Sequence, residues 1–260
     1  MIITNDTIRE ATLQAQSNIG NKLALDAGNK KSYPGSGSTW FDISGNDNHC
    51  NLVDMPTFES YYFDFDGNTN YGTITNSPSL GILGFEASFE IWMRVATYSA
   101  HGAFYPSNDN IPIFKGPFNG GDQGYNGNYC IWSGDGFLVL ASNDGVSSGN
   151  PDGPNTEILR PANYTIPANQ WLQLFVTQDA SGFKFYTNSS YIGGGTEGVN
   201  SATNIAFKPD ASNLLIGKRS DDYGYMLGKI SVINIWDRKL SDAEIKNNYD
   251  FYRQRFGLGA

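Results

Sequence analysis

The sequence predicts an all-β protein built as a two-sheet antiparallel sandwich. Three observations predict it. The 260 residues include 30 Gly, 16 Phe, 15 Tyr and 5 Trp but only 17% charged residues, a composition of turns and β-formers. From Leu23 onward, short apolar runs alternate with clusters of Gly, Asn, Asp, Ser and Pro. Roughly a dozen such runs follow one another at short spacing, the rhythm of a sandwich. No internal repeat or composition shift divides the chain, so residues 21–260 read as one domain behind an arm of residues 1–20.

The elements follow in order. Residues 3–18 read as a short helix or arm, because Thr7 and Glu10 fit a capping box ahead of Ala11, Leu13 and Ala15. Apolar content there is thin, so the arm needs a partner to be stable; an assembly arm and a frayed terminus both fit. Leu23–Asp26 is the first strand, residues 31–38 are a loop, Trp40–Ile43 is extended, and residues 44–48 turn. Tyr61–Gly67 runs from strand into turn. Ala87–Val95 is a strong strand with Phe89, Ile91 and Met93 on one face. Ile111–Phe114, Tyr129–Trp132 and Phe137–Ala141 follow. Trp171–Gln178 and Phe183–Thr187 flank the turn Asp179-Ala-Ser-Gly182. Leu214–Gly217 and Lys229–Trp236 complete the strands. In the last of these Ile230 and Val232 are followed, one step out of phase, by Ile233, Ile235 and Trp236. Ser241 then opens a capping box with Glu244, and Ile245, Tyr249 and Tyr252 form one apolar face of a C-terminal helix. Trp40, Trp92, Trp171 and Trp236 lie in apolar strand patterns and read as core. The intervals 98–128 and 142–165 read as long loops of the kind that carry function.

Charge and targeting exclude several classes. Net charge is −9 with no basic run, so nothing in the chain is suited to displacing counterions from nucleic acid. No apolar run reaches the ~18 residues of a membrane span. The N-terminus lacks the pattern of a secretory signal, which points to synthesis in a cytoplasm. Cys50 and Cys130 accordingly read as two buried thiols, and their spacing fits no zinc motif. The sequons at Asn5, Asn163 and Asn188 carry little weight without a secretory signal. Gly145-Val-Ser147-Ser-Gly149 matches a nucleophile-elbow pattern, but both His49 and His101 precede it and a loop follows it, so it reads as a chance match.

Two constellations are candidates for binding. Asp42, Ser44, Asn46 and Asn48 alternate oxygens through a Gly-containing turn, and Asp64, Asp66 and Asn68 form a second cluster; both have the hard-oxygen chemistry of calcium. Asx-turns explain the same residues and are favoured. Tyr125, Tyr129, Trp132, Tyr223 and Tyr225 lie in or beside Gly-rich loops and are candidates for a sugar platform, with packing or subunit contact favoured over sugar.

Four segments resemble laminin-G-like (concanavalin A-like) jelly-roll domains, in the family's order. They are Leu23–Gly28, Trp40–Leu52, Phe63–Ile74 and the closing stretch Gly228–Tyr249, joined by the strand from Phe89 to Arg94. Tyr33–Gly37 before Trp40, Asp42 and Ser44–Asn46, with Tyr249, Arg253, Arg255, Phe256 and Gly257 at the end, resembles the variant found in tailed-bacteriophage structural proteins. His49 and Cys50 stand where smaller or Asn/Gly residues are more usual. The resemblance implies a non-enzymatic structural protein of a virion: a tail fibre, capsid decoration or neck appendage. Such a protein would be a homo-oligomer in contact with other virion proteins. Its alternative implication is a carbohydrate-binding module that adheres to a host-surface glycan. Laminin-G-like domains often hold calcium near loop ends, which is the second reason to weigh Asp42, Ser44, Asn46 and Asp66. The fold also hosts glucanases, which carry Glu-x-Asp-x-x-Glu on one strand. Here only Glu86-Ala-Ser-Phe-Glu90 is present. On a regular strand that pair lies ~13 Å apart, outside the ~5–5.5 Å and ~6.5–9.5 Å that retaining and inverting hydrolysis need. A glycoside hydrolase is therefore disfavoured, and Glu86→Gln and Glu90→Gln are expected to change little.

Overall fold

The computed structural model describes residues 19–97, 110–117, 128–134, 137–143, 156–159, 164–194, 207, 210–220 and 224–259. These form sixteen strands in two antiparallel sheets. The strands are β1 (Asn21–Asp26), β2 (Thr39–Trp40), β3 (Cys50–Val53), β4 (Thr57–Glu59), β5 (Tyr62–Asp66), β6 (Tyr71–Ile74), β7 (Ala87–Val95) and β8 (Asn110–Lys115). There follow β9 (Tyr129–Gly134), β10 (Phe137–Asn143), β11 (Thr156–Leu159), β12 (Leu172–Asp179), β13 (Gly182–Thr187), β14 (Ser190–Gly194), β15 (Leu214–Ile216) and β16 (Leu227–Trp236). Helix α1 (Asp242–Tyr252) closes the chain. The arm expected over residues 3–18 lies outside the described residues, as do Ser147, His101, Tyr125 and Tyr223.

The first sheet runs β14-β13-β12-β7-β16-β5-β4, with β1 also on β16; the second runs β11-β10-β9-β8-β15-β6-β3-β2. Strand alternation sets the core between them. On β7, Ala87, Phe89, Ile91, Met93 and Val95 point inward and are fully buried with Leu23, Phe63, Ile131 and Leu174 from both sheets. The other phase, Ser88, Glu90, Trp92 and Arg94, faces outward.

Strand β16 explains its own phase slip. Its register shifts between Ile230 and Val232, where Ser231 bulges. Before the bulge β16 pairs with β5, and after it with β1. Ile230 and Ile233 therefore both reach the inner core while Val232 reaches the outer face.

The outer face of the first sheet is covered by α1 and its flanks. Ser241 Oγ accepts from the Glu244 amide while the Glu244 carboxylate accepts from the Ser241 amide, the expected capping box. Ile245 packs with Trp236, Leu240, Phe175 and Tyr186. Tyr252 and Phe256 pack with Trp92 and Val232, and Phe256 stacks on Trp92 at 4.4 Å. A short 3-10 turn (Arg253–Phe256) ends at Gly257, whose φ of 68° is the left-handed conformation that glycine adopts without a Cβ penalty. Arg255 grips the buried Asp26 with two bonds, at 2.5 and 3.1 Å. The C-terminal motif is thus explained by packing within the domain.

Three expectations change. A strand, β11, lies inside the interval read as a loop over 142–165. Trp171 is half-buried at the margin of the outer cluster, whereas Trp40, Trp92 and Trp236 are buried. Glu90 is not a bystander: it is fully buried, as described below. Cys50 and Cys130 are buried and outside any disulfide, as the sequence predicts, and burial pushes the Cys50 thiol well above its ordinary pKa.

Candidate functional site

The predicted calcium residues fold as turns. Asp42 is buried, and its carboxylate accepts four bonds: from the Ala24 and Ser44 amides on Oδ1, and from Ser44 Oγ and the Asn48 amide on Oδ2. A carboxylate has about four lone-pair sites, so all are taken. Asn46 spends its amide on the Asn21 and Lys22 carbonyls and on Ser44 Oγ. Asp66 accepts from the Asn68, Thr69 and Asn70 amides and from Thr69 Oγ1. Burial acts to raise its pKa, but these bonds outweigh it and hold the pKa at about 2. Among the described residues no group of three or more His, Cys, Asp or Glu could hold a metal ion. A cation at Asp42 would have to displace these protein donors.

Of the predicted sugar residues, Tyr129 and Tyr225 have described side chains. Tyr129 is fully buried against Phe89, its hydroxyl directed at the Leu80 carbonyl, which removes it from any surface platform. It begins β9 with its side chain inward, in phase with Ile131, and that alternation is the signal the loop-based reading overlooks. The side chain of Trp132 lies outside the described residues. Tyr225 is half-buried beside Tyr71, with ring centroids 6.5 Å apart. The buried Lys218 ammonium sits 4.1 Å from the Tyr71 centroid and 5.3 Å from that of Tyr225. A cation thus occupies the space where those rings would meet a ligand.

The structure builds a different aromatic surface. On the outer face of the first sheet, beyond the 3-10 turn, the β4–β5 hairpin brings Tyr61 and Tyr62 to Trp171 at the entry to β12. Tyr62 and Trp171 have centroids 5.4 Å apart, Tyr61 and Tyr62 5.2 Å, and Tyr61 and Trp171 6.2 Å. Phe256 supports the group from below, 4.6 Å from Trp171 and 5.6 Å from Tyr61. All three upper rings are half-buried, so each keeps some surface in water.

Charged groups border the rings. Lys229 bonds Asp64 at 2.5 Å, lies 4.4 Å from the Tyr62 centroid and donates to the Tyr62 hydroxyl, which in turn donates to the exposed Glu59 carboxylate. Burial pulls the Lys229 pKa down, but the bonds to Asp64 and Tyr62 prevail and the net shift is upward. Sequence reasoning missed this surface because Trp171 sits among apolar residues. The available signal is phase: Trp171, Gln173 and Phe175 alternate with Leu172, Leu174 and Val176, which fill the inner core.

Further along the same face lies Glu90. Trp92 Nε1 and Gln173 Nε2 donate to its Oε1 at 3.0 and 2.7 Å; Asn234 and Asn248 Nδ2 donate to its Oε2 at 3.0 and 3.3 Å. Burial raises its pKa above the ordinary carboxylate value, against the pull of those four bonds. Substrate cannot reach a carboxylate sealed beneath α1.

Comparison with known proteins decides the family. The family model described as the concanavalin A-like lectin/glucanases superfamily matches residues 66–246. The chain belongs to that superfamily. No curated protein matches it. Among solved structures it is similar to the botulinum neurotoxin serotype G binding domain, with TM-score 0.62 and 16% identity over 89% of this chain and 51% of that one. It is also similar to the receptor-binding domain of the C/D mosaic serotype, with TM-score 0.61 and 16% identity over 90% and 52% of the two chains. A third is the serotype D ligand-binding domain in complex with N-acetylneuraminic acid, with TM-score 0.60 and 14% identity over 92% and 52%. The superfamily chain thus spans about half the length of these structures, and at such identities they share its fold alone.

Proposed function

We propose that this chain is a non-catalytic glycan-binding module of the lectin type, with the Tyr61–Tyr62–Trp171 surface as its sugar platform. The observation that carries the reading is the grouping of three half-buried rings beside a polar rim of Asp64, Lys229 and Glu59. The C–H face of a pyranose is apolar and suits an aromatic floor, while its hydroxyls need donors and acceptors at the edge; sites of this kind combine the two. The serotype D neighbour was crystallised with N-acetylneuraminic acid, and a type C relative is described as entering cells through two ganglioside molecules, which supports a glycan as the ligand class. Burial of Glu90 supports binding over hydrolysis. The test is a glycan array with wild type, Trp171→Ala and Tyr62→Ala, each checked for its melting temperature. Binding that both variants lose while still folded is the expected result. Binding unaffected by either substitution, or no binding to any glycan, would overturn the assignment.

A second reading places the module on a bacteriophage virion as a homo-oligomeric structural protein that meets a host-surface glycan. It is favoured by the likeness of Tyr33–Asn46 and Tyr249–Gly257 to tailed-phage domains. The second of these motifs also has packing roles here, through Asp26–Arg255 and Trp92–Phe256, so it speaks to the fold before the particle. Immunogold labelling of purified virions decides it; unlabelled particles would sink the reading.

A further inference from the structure

We infer that the platform selects sugars bearing a carboxylate, and that Arg94 is the residue that reads it. The inference rests on the glycan-binding reading above and names its ligand class. Arg94 belongs to the outward phase of β7, after Ser88, Glu90 and Trp92. The first three lie under α1 and its flanks, through Leu240, Asn248 and Phe256, whereas Arg94 emerges half-buried beyond that cover. Registers fix its neighbours. Arg94 pairs with Lys229 on one side, and Lys229 with Asp64 beyond it. On the other side Leu172 pairs with Met93, which sets Trp171 opposite Arg94 at the mouth of β12. The Arg94 backbone position thus lies between those of Lys229 and Trp171 in this row. Gly228 allows the two strands to close here: a Cβ on it would lie 2.4 Å from the Arg94 carbonyl oxygen.

The charge count in this row is uneven. Two cations, Arg94 and Lys229, stand in register with one anion, Asp64, and Asp64 is bonded to Lys229. Like charges directly opposite on adjacent strands are destabilising. The Arg94 side chain has neither a hydrogen bond nor an ion pair among the described residues. A guanidinium offers five donors in a planar fork that matches a carboxylate with two parallel bonds. On a protein of net charge −9, a half-buried guanidinium without a side-chain partner among the described residues, on a strand in register with Trp171, is a local site for an anion. A pyranose resting on Trp171 with its carboxylate turned to Arg94 satisfies the fork and offsets the repulsion from Lys229. A neutral sugar satisfies neither.

The experiment measures binding of glucuronate- and N-acetylneuraminate-terminated oligosaccharides against glucose- and galactose-terminated ones, at low and high salt. Wild type, Arg94→Gln, Arg94→Lys and Trp171→Ala are compared. Acidic glycans are expected to bind more tightly and to weaken with salt. Arg94→Gln should lower their affinity roughly tenfold to a hundredfold, the scale of one lost charge-assisted contact, with neutral sugars unchanged. Arg94→Lys should fall between, since it keeps the charge and loses the fork. Trp171→Ala should weaken every glycan. Arg94→Gln should melt no lower than wild type, because it removes a like-charge pair; this keeps loss of binding separate from loss of fold. Equal affinity for neutral and acidic glycans, or an Arg94→Gln variant that binds acidic glycans as wild type does, overturns the selectivity while leaving the platform intact. Glycan binding indifferent to Trp171→Ala overturns the platform, and the selectivity with it.

Discussion

Replacing Glu90 tests whether a buried carboxylate holds the C-terminal helix to the sheet. The site invites two opposite forecasts. Burying a charge costs several kcal/mol, and apolar replacement of buried ionic groups is often neutral or stabilising. Yet those gains arise when every polar member is replaced together. Glu90→Leu removes the acceptor and leaves four donors in place, on Trp92, Gln173, Asn234 and Asn248. The amides can turn toward other partners, but the Trp92 indole cannot, since its ring is stacked on Phe256 and Tyr249. Each buried donor left unsatisfied costs ~1–3 kcal/mol. With the indole stranded and the amides only partly re-partnered, about two donors stay unsatisfied, and we expect Glu90→Leu to cost about 3–5 kcal/mol. For a domain of this size that is a drop of ~6–20 °C, at ~2–4 °C per kcal/mol. Glu90→Gln keeps the acceptor for Trp92 and Gln173 and should cost less. The pH dependence has a definite sign. The folded-state pKa of Glu90 is raised, so the native state holds this proton more tightly than the unfolded chain. Its contribution is greatest below the unfolded pKa and is lost as pH rises through the raised value. The gap between wild type and Glu90→Gln should narrow as pH climbs through that window. Melting curves by circular dichroism across pH, with hydrogen exchange of α1, provide the assay. A Glu90→Leu protein as stable as wild type, with α1 equally protected, would refute the reasoning.

Trp236→Ala should cost ~3–5 kcal/mol, as large-to-small core changes do, because Trp236 is buried against Phe175 and Ile245; a melting temperature within a degree or two of wild type would contradict that packing. Chelation with EDTA should leave the melting temperature unmoved, since protein donors fill the Asp42 carboxylate; a fall of several degrees reversed by calcium would reinstate the metal site. Cys50 and Cys130 should resist a thiol reagent until the protein is unfolded, and rapid labelling of either in the native state would show an opening of the second sheet.

Much of this fold is legible in the sequence because its signals are local. The Ser241–Glu244 capping box needs four residues and is found where predicted. The inward phase Phe89, Ile91, Met93 needs five. Even the bulge at Ser231 is written in the slip from Ile230 and Val232 to Ile233 and Ile235. Aromatic residues are read less well, because an aromatic side chain suits a core and a surface equally. Tyr129 follows a Gly-rich stretch yet points inward, and Trp171 follows a polar stretch into an apolar strand yet points outward. Only the phase of their neighbours separates the two cases.

The outer face of the first sheet depends on contacts no local pattern contains. Glu90 meets Asn248 from 158 residues away, and Arg255 meets Asp26 from 229. These contacts decide where α1 lies, and so which half of an otherwise continuous face is sealed. Under the helix, the outward phase of β7 becomes an interior: Glu90 is saturated with donors and Trp92 is stacked. One residue pair beyond the 3-10 turn the same phase becomes a surface, with the Arg94 side chain unpartnered among the described residues and Trp171 half in water. The residue types differ little across that border, since each side holds a charged group beside an indole. What differs is the cover, so the helix that stabilises the sandwich also delimits the proposed binding surface. A variant that loosens α1, such as Glu90→Leu, should therefore weaken glycan binding at the neighbouring platform as well as stability, through the shared Phe256 ring beneath Trp171. Full glycan affinity in a Glu90→Leu protein whose α1 amides exchange freely would show that the platform stands without the helix.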